Sequence, residues 1–333
     1  MTQCSILFVD AHTYEQGFME KANRNYKFRL DFHPFKLNLE SANLIKGYEV
    51  VCAFVNDDLS APVIEKLHAN KVKLIAMRST GYNNVDLGAA EGKLRVVNVP
   101  NYSPQAVAEH AVGLILSLSR KYPLCSRRMA EHNFTLDGLL GFNVHGKTIG
   151  IIGAGNIGKA TAQILKGFGA TILLHDIAPD FNFAKQICAT FSPLESLLAQ
   201  SDIISLHCPL TPKTKHLVNA TTLQQMKEGV VLINTGRGAL IHTQDLIEAL
   251  KSGKVAFAGL DVYENETTYF FENWVEKKVL DEQLLTLLSM PNVIITPHQG
   301  FFTKEALEQI AQTTLDNIAA FVEGRPLVNE VKA

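Results

Sequence analysis

The 333-residue sequence has no Cys-x-x-Cys pair, and its five cysteines (Cys4, Cys52, Cys125, Cys188 and Cys208) are odd in number and widely scattered. That pattern argues against a disulfide framework and against a thiolate zinc site. No grouping of His, Cys and carboxylate residues has metal-ligand spacing, so no metal is expected. No apolar run approaches the roughly 20 residues needed to cross a bilayer. The opening Met-Thr-Gln-Cys-Ser-Ile has no basic region followed by a long apolar stretch, the mark of a secretory leader. The expectation is a cytoplasmic protein with reduced thiols. An excess of one charge is also missing: 31 Lys and Arg face 33 Asp and Glu, a formal net charge of -2. Nothing in that balance invites nucleic acid or an anionic membrane. Repeats of solenoid period and low-complexity segments are absent as well.

What is present is an ordinary globular composition, 47% hydrophobic and 19% charged, on a chain long enough for two cores. Short runs rich in Val and Ile alternate with amphipathic stretches. Residues 5–10, 49–55, 73–77 and 95–99 read as strands, with a helix opening at Ser60-Ala61-Pro62. Continuous apolar runs bounded by turn signals suit strands buried on both faces of a parallel sheet. Ser103-Pro104 then opens a long helix, Ser as cap and Pro in the first turn, with Val107, Ala111, Leu114, Ile115 and Leu118 at helical spacing. A second series begins near Lys147, with strands at 149–152, 171–174, 202–206, 230–234, 256–261 and 293–296. A last amphipathic helix covers about 303–322 and stops at Gly324, with Pro326 beyond. The pattern predicts two α/β domains with doubly wound parallel sheets and a cleft between them. Ligands are expected at the C-terminal edges of the strands.

The sharpest motif is Gly153-Ala154-Gly155-Asn156-Ile157-Gly158, which follows a predicted strand at 148–152 and opens a helix. In that context the first glycine allows the tight turn, the second lets the backbone approach a pyrophosphate, and the third lets helix and strand pack closely. The helix N-terminus offers free N–H groups to phosphates. The next strand ends in Asp176, about 20 residues on, where a carboxylate holds the adenosine ribose hydroxyls and repels a 2′-phosphate. No Arg follows at Ile177 or Ala178. The expected cofactor is NAD rather than NADP.

Three further residues sit just after successive second-domain strands: Arg237, Glu266 and His298. Singly, each has a plain alternative as a loop arginine, a solvated carboxylate or a structural histidine. Together, behind a dinucleotide site, they suit hydride transfer to a 2-keto acid. Arg clamps the carboxylate bidentately, His exchanges the proton, and a nearby carboxylate favours the protonated imidazole.

Across essentially its whole length the chain resembles the D-2-hydroxyacid dehydrogenase family, and within it the bacterial fermentative D-lactate dehydrogenases. The carrying motifs are Phe54-Val55-Asn56-Asp57-Asp58, Gly81-Tyr82-Asn83-Asn84-Val85-Asp86, Val107-Ala108-Glu109-His110-Ala111, the glycine fingerprint, residues 202–211, 234–241 and 259–266, and His298-Gln299-Gly300-Phe301-Phe302-Thr303. The resemblance implies a flavodoxin-like substrate domain at 1–101 plus 300–333, closed by the C-terminal helix, and a Rossmann NAD domain at 102–299. It implies pyruvate and D-lactate as substrates, D stereochemistry, and association into a homo-oligomer, dimer or tetramer, through the second domain. By the same resemblance Arg237 binds the substrate carboxylate, His298 is the acid/base and Glu266 its partner. Ser79, Thr80 and Gly81 help hold the carboxylate through backbone N–H groups, and Tyr102 and Phe301 line the space around the substrate methyl. Asp261 lies near the nicotinamide carboxamide, and His207, Cys208, Pro209, Thr235 and Gly236 border the cofactor with Gly153, Gly155, Asn156, Ile157, Gly158 and Asp176. Gly300 stands where relatives often have Ala, which is expected to loosen the loop after His298. Reduction of larger 2-keto acids such as phenylpyruvate, and an NAD-sensing corepressor role, are the alternatives within this fold.

Overall fold

Apolar runs four or five residues long become strands whose two faces are both covered. The computed structural model describes residues 4–333. Two compact units emerge, one made of Met1–Ser103 with Phe302–Ala333 and the other of Pro104–Phe301.

In the first unit, β1 (Ser5–Phe8), β2 (Arg29–Phe32), β3 (Val50–Ala53), β4 (Leu74–Met77) and β5 (Arg95–Val97) form a sheet in the order β2-β1-β3-β4-β5. All of its ladders are parallel, and the order is the flavodoxin-like one. Leu7, Val51, Ala53, Ile75 and Met77 join Val63, Ile64 and Leu67 of helix Ala61–Ala69 in one apolar cluster. Burying a Leu, Ile or Val in this way contributes about 1.5–3 kcal/mol each. The C-terminal helix Lys304–Val322 packs on helix Thr13–Asn23 and on β4. Polar ties fix it there: Lys21 Nζ donates to Glu308 Oε1 at 2.7 Å, Tyr26 Oη to Asp316 Oδ1 at 2.6 Å, and buried Asn317 Nδ2 to the Asn98 carbonyl at 2.8 Å.

In the second unit, β6 (Thr148–Ile152), β7 (Thr171–His175), β8 (Thr190–Phe191), β9 (Ile203–Leu206), β10 (Val230–Asn234), β11 (Val255–Leu260) and β12 (Val293–Ile295) run in the order β12-β11-β10-β9-β6-β7-β8. These ladders too are parallel. Neighbouring residues serve opposite faces: Ile152, Leu173, Ile204 and Leu232 join one cluster, while Ile151, Leu174, Ile203 and Val231 join another. That two-sided burial is why the strands read as unbroken apolar runs. Helix Pro104–Ser119 packs over β11, where a Cβ on Gly259 would lie 3.1 Å from Leu114 Cβ and 2.9 Å from Ile233 Cδ1. The chain reverses its winding between β6 and β9, the Rossmann arrangement, and the crevice at such a reversal is where ligands bind.

Two strands and several helices, Thr13–Asn23 among them, lay outside the sequence expectation. β2 carries Arg29 and Asp31 on a sheet edge, β8 is only two residues long, and helix Thr13–Asn23 follows β1 directly. Edge strands bury less, so they carry no long apolar run to betray them. The first strand is also shorter than expected, because Asp10 turns into a left-handed backbone at φ 47°.

Candidate active site

Each fingerprint glycine answers to a different constraint. Gly153, at φ 96°, passes so close to the loop after β9 that a Cβ would lie 2.4 Å from Cys208 N and 2.5 Å from the His207 carbonyl carbon. Gly158 crosses back over the turn, where a Cβ would fall 1.9 Å from the Gly153 oxygen. Around Gly155 nothing lies within 4 Å of an added Cβ. Gly155 is exposed with Asn156, and it caps helix Asn156–Gly167. Packed first and third glycines with an open second one leave room for a diphosphate above the helix N-terminus.

Asp176 follows β7 directly and grips this turn, its Oδ2 accepting from Ala154 N–H at 2.6 Å and its Oδ1 from Ala178 N–H at 2.8 Å. His207 follows β9, with its Nε2 2.8 Å from Ser205 Oγ. Burial pushes that imidazole down to about 4, so His207 is neutral at pH 7 and adds no charge to the nucleotide face. Burial likewise pushes the Cys208 thiol up to about 11. Pro209 is exposed, and its carbonyl accepts from Thr214 Oγ1 at 2.6 Å.

After β10 the Asn234 side chain shapes the arginine turn. Its Nδ2 donates to the Arg237 carbonyl at 2.9 Å, and its Oδ1 accepts from Gly236 N–H at 3.0 Å. Gly238 lets this turn lie against the next loop, since a Cβ there would meet the Tyr263 carbonyl at 2.1 Å. Among the described residues the Arg237 guanidinium bonds only the Gly236 carbonyl, at 2.8 Å through Nη1, and has no carboxylate partner. Thr235 Oγ1 is buried and lacks a hydrogen-bond partner among the described residues.

Glu266 begins a short 3-10 turn, Glu266–Thr268. Its Oε2 accepts from Tyr263 N–H at 2.8 Å, and its Oε1 lies 2.8 Å from His298 Nδ1. Both side chains are four-fifths buried. His298 stands in the left-handed backbone region at φ 53°, held there by its N–H donating to the Asp261 carbonyl at 2.8 Å. Strained backbone of this kind persists where the surroundings over-determine it. With Nδ1 committed to Glu266, Nε2 is left to act on a ligand.

Asp261, 1% exposed, is the knot of this region. Its Oδ1 accepts from Thr296 Oγ1 and from Gln299 N–H at 2.9 Å and lies 3.1 Å from His110 Nε2, while Oδ2 accepts from Gly300 N–H at 2.7 Å. The loop after His298 is therefore clamped rather than loosened by Gly300: a Cβ at that position would lie 2.9 Å from Asp261 Oδ2. Sequence reasoning passed over His110 and Thr296, which meet at 3.0 Å beside Asp261. His110 stands within a quoted motif, but only the folded helix brings it to the strand end.

In the first unit, Ser79 Oγ donates to the Gly81 carbonyl at 2.7 Å and Thr80 Oγ1 to the Val99 carbonyl at 2.8 Å, which fixes the turn after β4. Behind it lies Arg78, 2% exposed and also missed from sequence. It donates to Glu15 Oε2 at 2.8 Å and to the carbonyls of Val9 at 2.9 Å, Asp10 at 2.6 Å and Cys52 at 3.2 Å. Tyr102 and Phe301 are half-buried.

Residues 112–300 match the family described as D-isomer specific 2-hydroxyacid dehydrogenase, NAD binding domain. The D-lactate dehydrogenase of Escherichia coli (strain K12) is 46% identical over 319 residues, which cover 96% of this chain and 97% of the relative. The chain belongs to the D-isomer specific 2-hydroxyacid dehydrogenase family. Another member, 2-hydroxyacid dehydrogenase homolog 1 of Schizosaccharomyces pombe, is 46% identical over 95% of this chain and 96% of its own. Among solved structures of this dehydrogenase family, the apo form of Escherichia coli D-lactate dehydrogenase superposes with a TM-score of 0.90 at 43% identity, covering 98% of this chain and 99% of that one. The pyruvate reductase of Chlamydomonas reinhardtii superposes with a TM-score of 0.92 at 42% identity, covering 98% of each chain.

The dehydrogenase uses NAD, and the second unit is its NAD-binding domain. The residues fit the cofactor: the packed turn, the open Gly155 and the unpartnered Thr235 hydroxyl all lie at C-terminal strand ends of one sheet. Among the described residues no cluster of three or more metal-ligating side chains occurs, and no helix is long and apolar enough to cross a membrane.

Proposed function

We propose that the protein is an NAD-dependent D-lactate dehydrogenase that reduces pyruvate to D-lactate reversibly. The observation that carries this reading is the Glu266–His298 pair, 2.8 Å apart at Nδ1 with Nε2 left over, on loops of the domain that holds the glycine turn. Support for lactate comes from the Escherichia coli D-lactate dehydrogenase at 46% identity.

NADH, when bound, supplies the hydride. His298 holds a proton on Nε2 and passes it to the carbonyl oxygen as negative charge develops there. Glu266 keeps Nδ1 protonated and stabilises the imidazolium before transfer; in the reverse direction the neutral ring, with Nδ1–H still on Glu266, takes the proton back. Arg237, with no carboxylate partner among the described residues, takes the substrate carboxylate through its planar fork. Ser79, Thr80 and Gly81 add backbone N–H groups, and Tyr102 and Phe301 bound the methyl. Asp176 takes the adenosine ribose, and Asp261 both orients the His298 loop and lies near the carboxamide. His207, Cys208, Pro209, Thr235, Gly236, Asn156 and Ile157 complete the cofactor contacts. In this reading the Met1–Ser103 unit with its C-terminal helix binds substrate, and the enzyme works as a cytoplasmic homo-oligomer.

The test is steady-state NADH oxidation with pyruvate, phenylpyruvate and other 2-keto acids, with chiral analysis of the product. Preferred turnover of pyruvate to D-lactate is expected. An L product, or no turnover of any keto acid, overturns the reading.

A further inference from the structure

Among the described residues the His298 ring has one hydrogen bond to orient it, and one bond leaves an imidazole free to rock about the Nδ1···Oε1 line. A second constraint is present. The ring of Phe271 lies with its centroid 6.0 Å from that of His298, tilted by 36°. We propose that Phe271 is a positioning residue for the proton donor: it packs against the imidazole and holds Nε2 in the direction of transfer. This rests on His298 being the acid/base, as proposed above.

Three features place the ring deliberately. Phe270 and Phe271 are neighbours, and in extended backbone their side chains would point opposite ways. Phe271 instead adopts φ 67°, a left-handed conformation that is costly for a bulky side chain. The turn brings both rings onto the same apolar cluster, Phe270 buried and Phe271 partly so. Glu266 also anchors this turn, because its carbonyl accepts from the N–H groups of Tyr269 and Phe270, both at 2.9 Å. One residue thus fixes the histidine through its carboxylate and the phenylalanine pair through its backbone. Finally, the excursion that carries Phe271 is tied at its base, where Tyr263 Oη donates to the Asp281 carboxylate at 2.8 Å.

The strain supplies a clean variant. Phe271→Gly suits φ 67° better than phenylalanine does, so the backbone turn is kept while the ring is lost. With the full-length enzyme, Phe271→Gly is expected to lower kcat for pyruvate reduction about ten- to a hundredfold, the scale of a misdirected reacting group. The Kd for NADH stays put, and the isotope effect with NADH deuterated at the transferred position rises as the chemical step slows. Phe271→Tyr, which restores a ring, recovers most of the loss. Unchanged kcat in Phe271→Gly, with His298→Gln inactive, overturns the positioning role and leaves His298 standing. A parallel loss of NADH binding and Tm also overturns it, because the ring then only supports the fold. Activity surviving in His298→Gln overturns the reading of His298 itself.

Discussion

Replacing Glu266 by Gln preserves shape and removes one charge, and the surrounding bonds dictate the consequence. The carboxylate serves two donors at once, Tyr263 N–H at Oε2 and His298 Nδ1 at Oε1, each at 2.8 Å. An amide has a single oxygen. The Tyr263 backbone N–H cannot turn away, so the amide oxygen stays with it and the NH2 faces Nδ1. Nδ1 must then accept, which excludes the doubly protonated ring and moves the neutral proton to Nε2. Reduction loses its imidazolium, and oxidation loses the free Nε2 lone pair. A hydrogen bond to a charged group is worth about 1.5–3 kcal/mol, which sets the expected fall in kcat at about 10- to 150-fold. The loss should appear in both directions, whereas NADH affinity and Tm hold. The assay is kcat from NADH consumption with pyruvate and from NAD reduction with D-lactate, on parent and variant. An undiminished kcat in either direction refutes the donor-matching argument.

Asp176→Ala should weaken NADH use and narrow its advantage over NADPH, since it removes the carboxylate proposed to hold the ribose and the acceptor that grips Ala154 N–H; an unmoved ratio of the two kcat/KM values removes Asp176 as the selector. Arg78→Met strands the buried Glu15 carboxylate and should cost about 3–5 kcal/mol of stability, read from denaturant melts; an unshifted midpoint refutes it. Burial pushes Asp57 up to about 6, although Phe54 and Leu37 N–H groups and Arg78 oppose the rise. The folded state therefore holds this proton more tightly than the unfolded chain, whose Asp titrates near 3.9. Stability from this group falls as pH rises from about 4 to about 6, by about 3 kcal/mol in all. Carboxyl NMR titration checks it, and an ordinary Asp57 titration overturns it.

The sequence made the buried strands and the glycine turn legible for the same reason: each demands residue types that little else demands. β6, β9 and β10 are apolar on both faces, and Gly153 and Gly158 stand where any Cβ collides with backbone. The Glu266–His298 contact was readable because both residues follow neighbouring strands, β11 and β12, of one sheet, with Arg237 after the next strand, β10. The unread parts depend on partners distant in sequence. Arg78 closes a strand that reads as purely apolar, and its counter-ion Glu15 comes from a helix that carried no strong signal. His110 meets Thr296 across nearly the whole second unit. Gly300 illustrates the reverse error: a missing side chain suggests looseness, yet the Asp261 clamp makes the position tight. The exposure of β2 and β8 on sheet edges hid them from a search for apolar runs.

The first unit is assembled from both ends of the chain, with the whole second unit between them. During synthesis, which runs from the N-terminus at about 5–20 residues per second, β1 to β5 emerge first but lack the helix Lys304–Val322 that packs on β4 and on helix Thr13–Asn23. The nucleotide unit is complete once Phe301 has emerged, before that helix has emerged to pack. On the ribosome the order of completion is therefore the reverse of the order of translation. The N-terminal sheet waits with apolar surface uncovered while later residues finish folding, and premature termination near Phe302 should leave a structured nucleotide unit attached to an unfinished partner. Pulse proteolysis of stalled chains would register that order directly, as protection gained first by residues translated second.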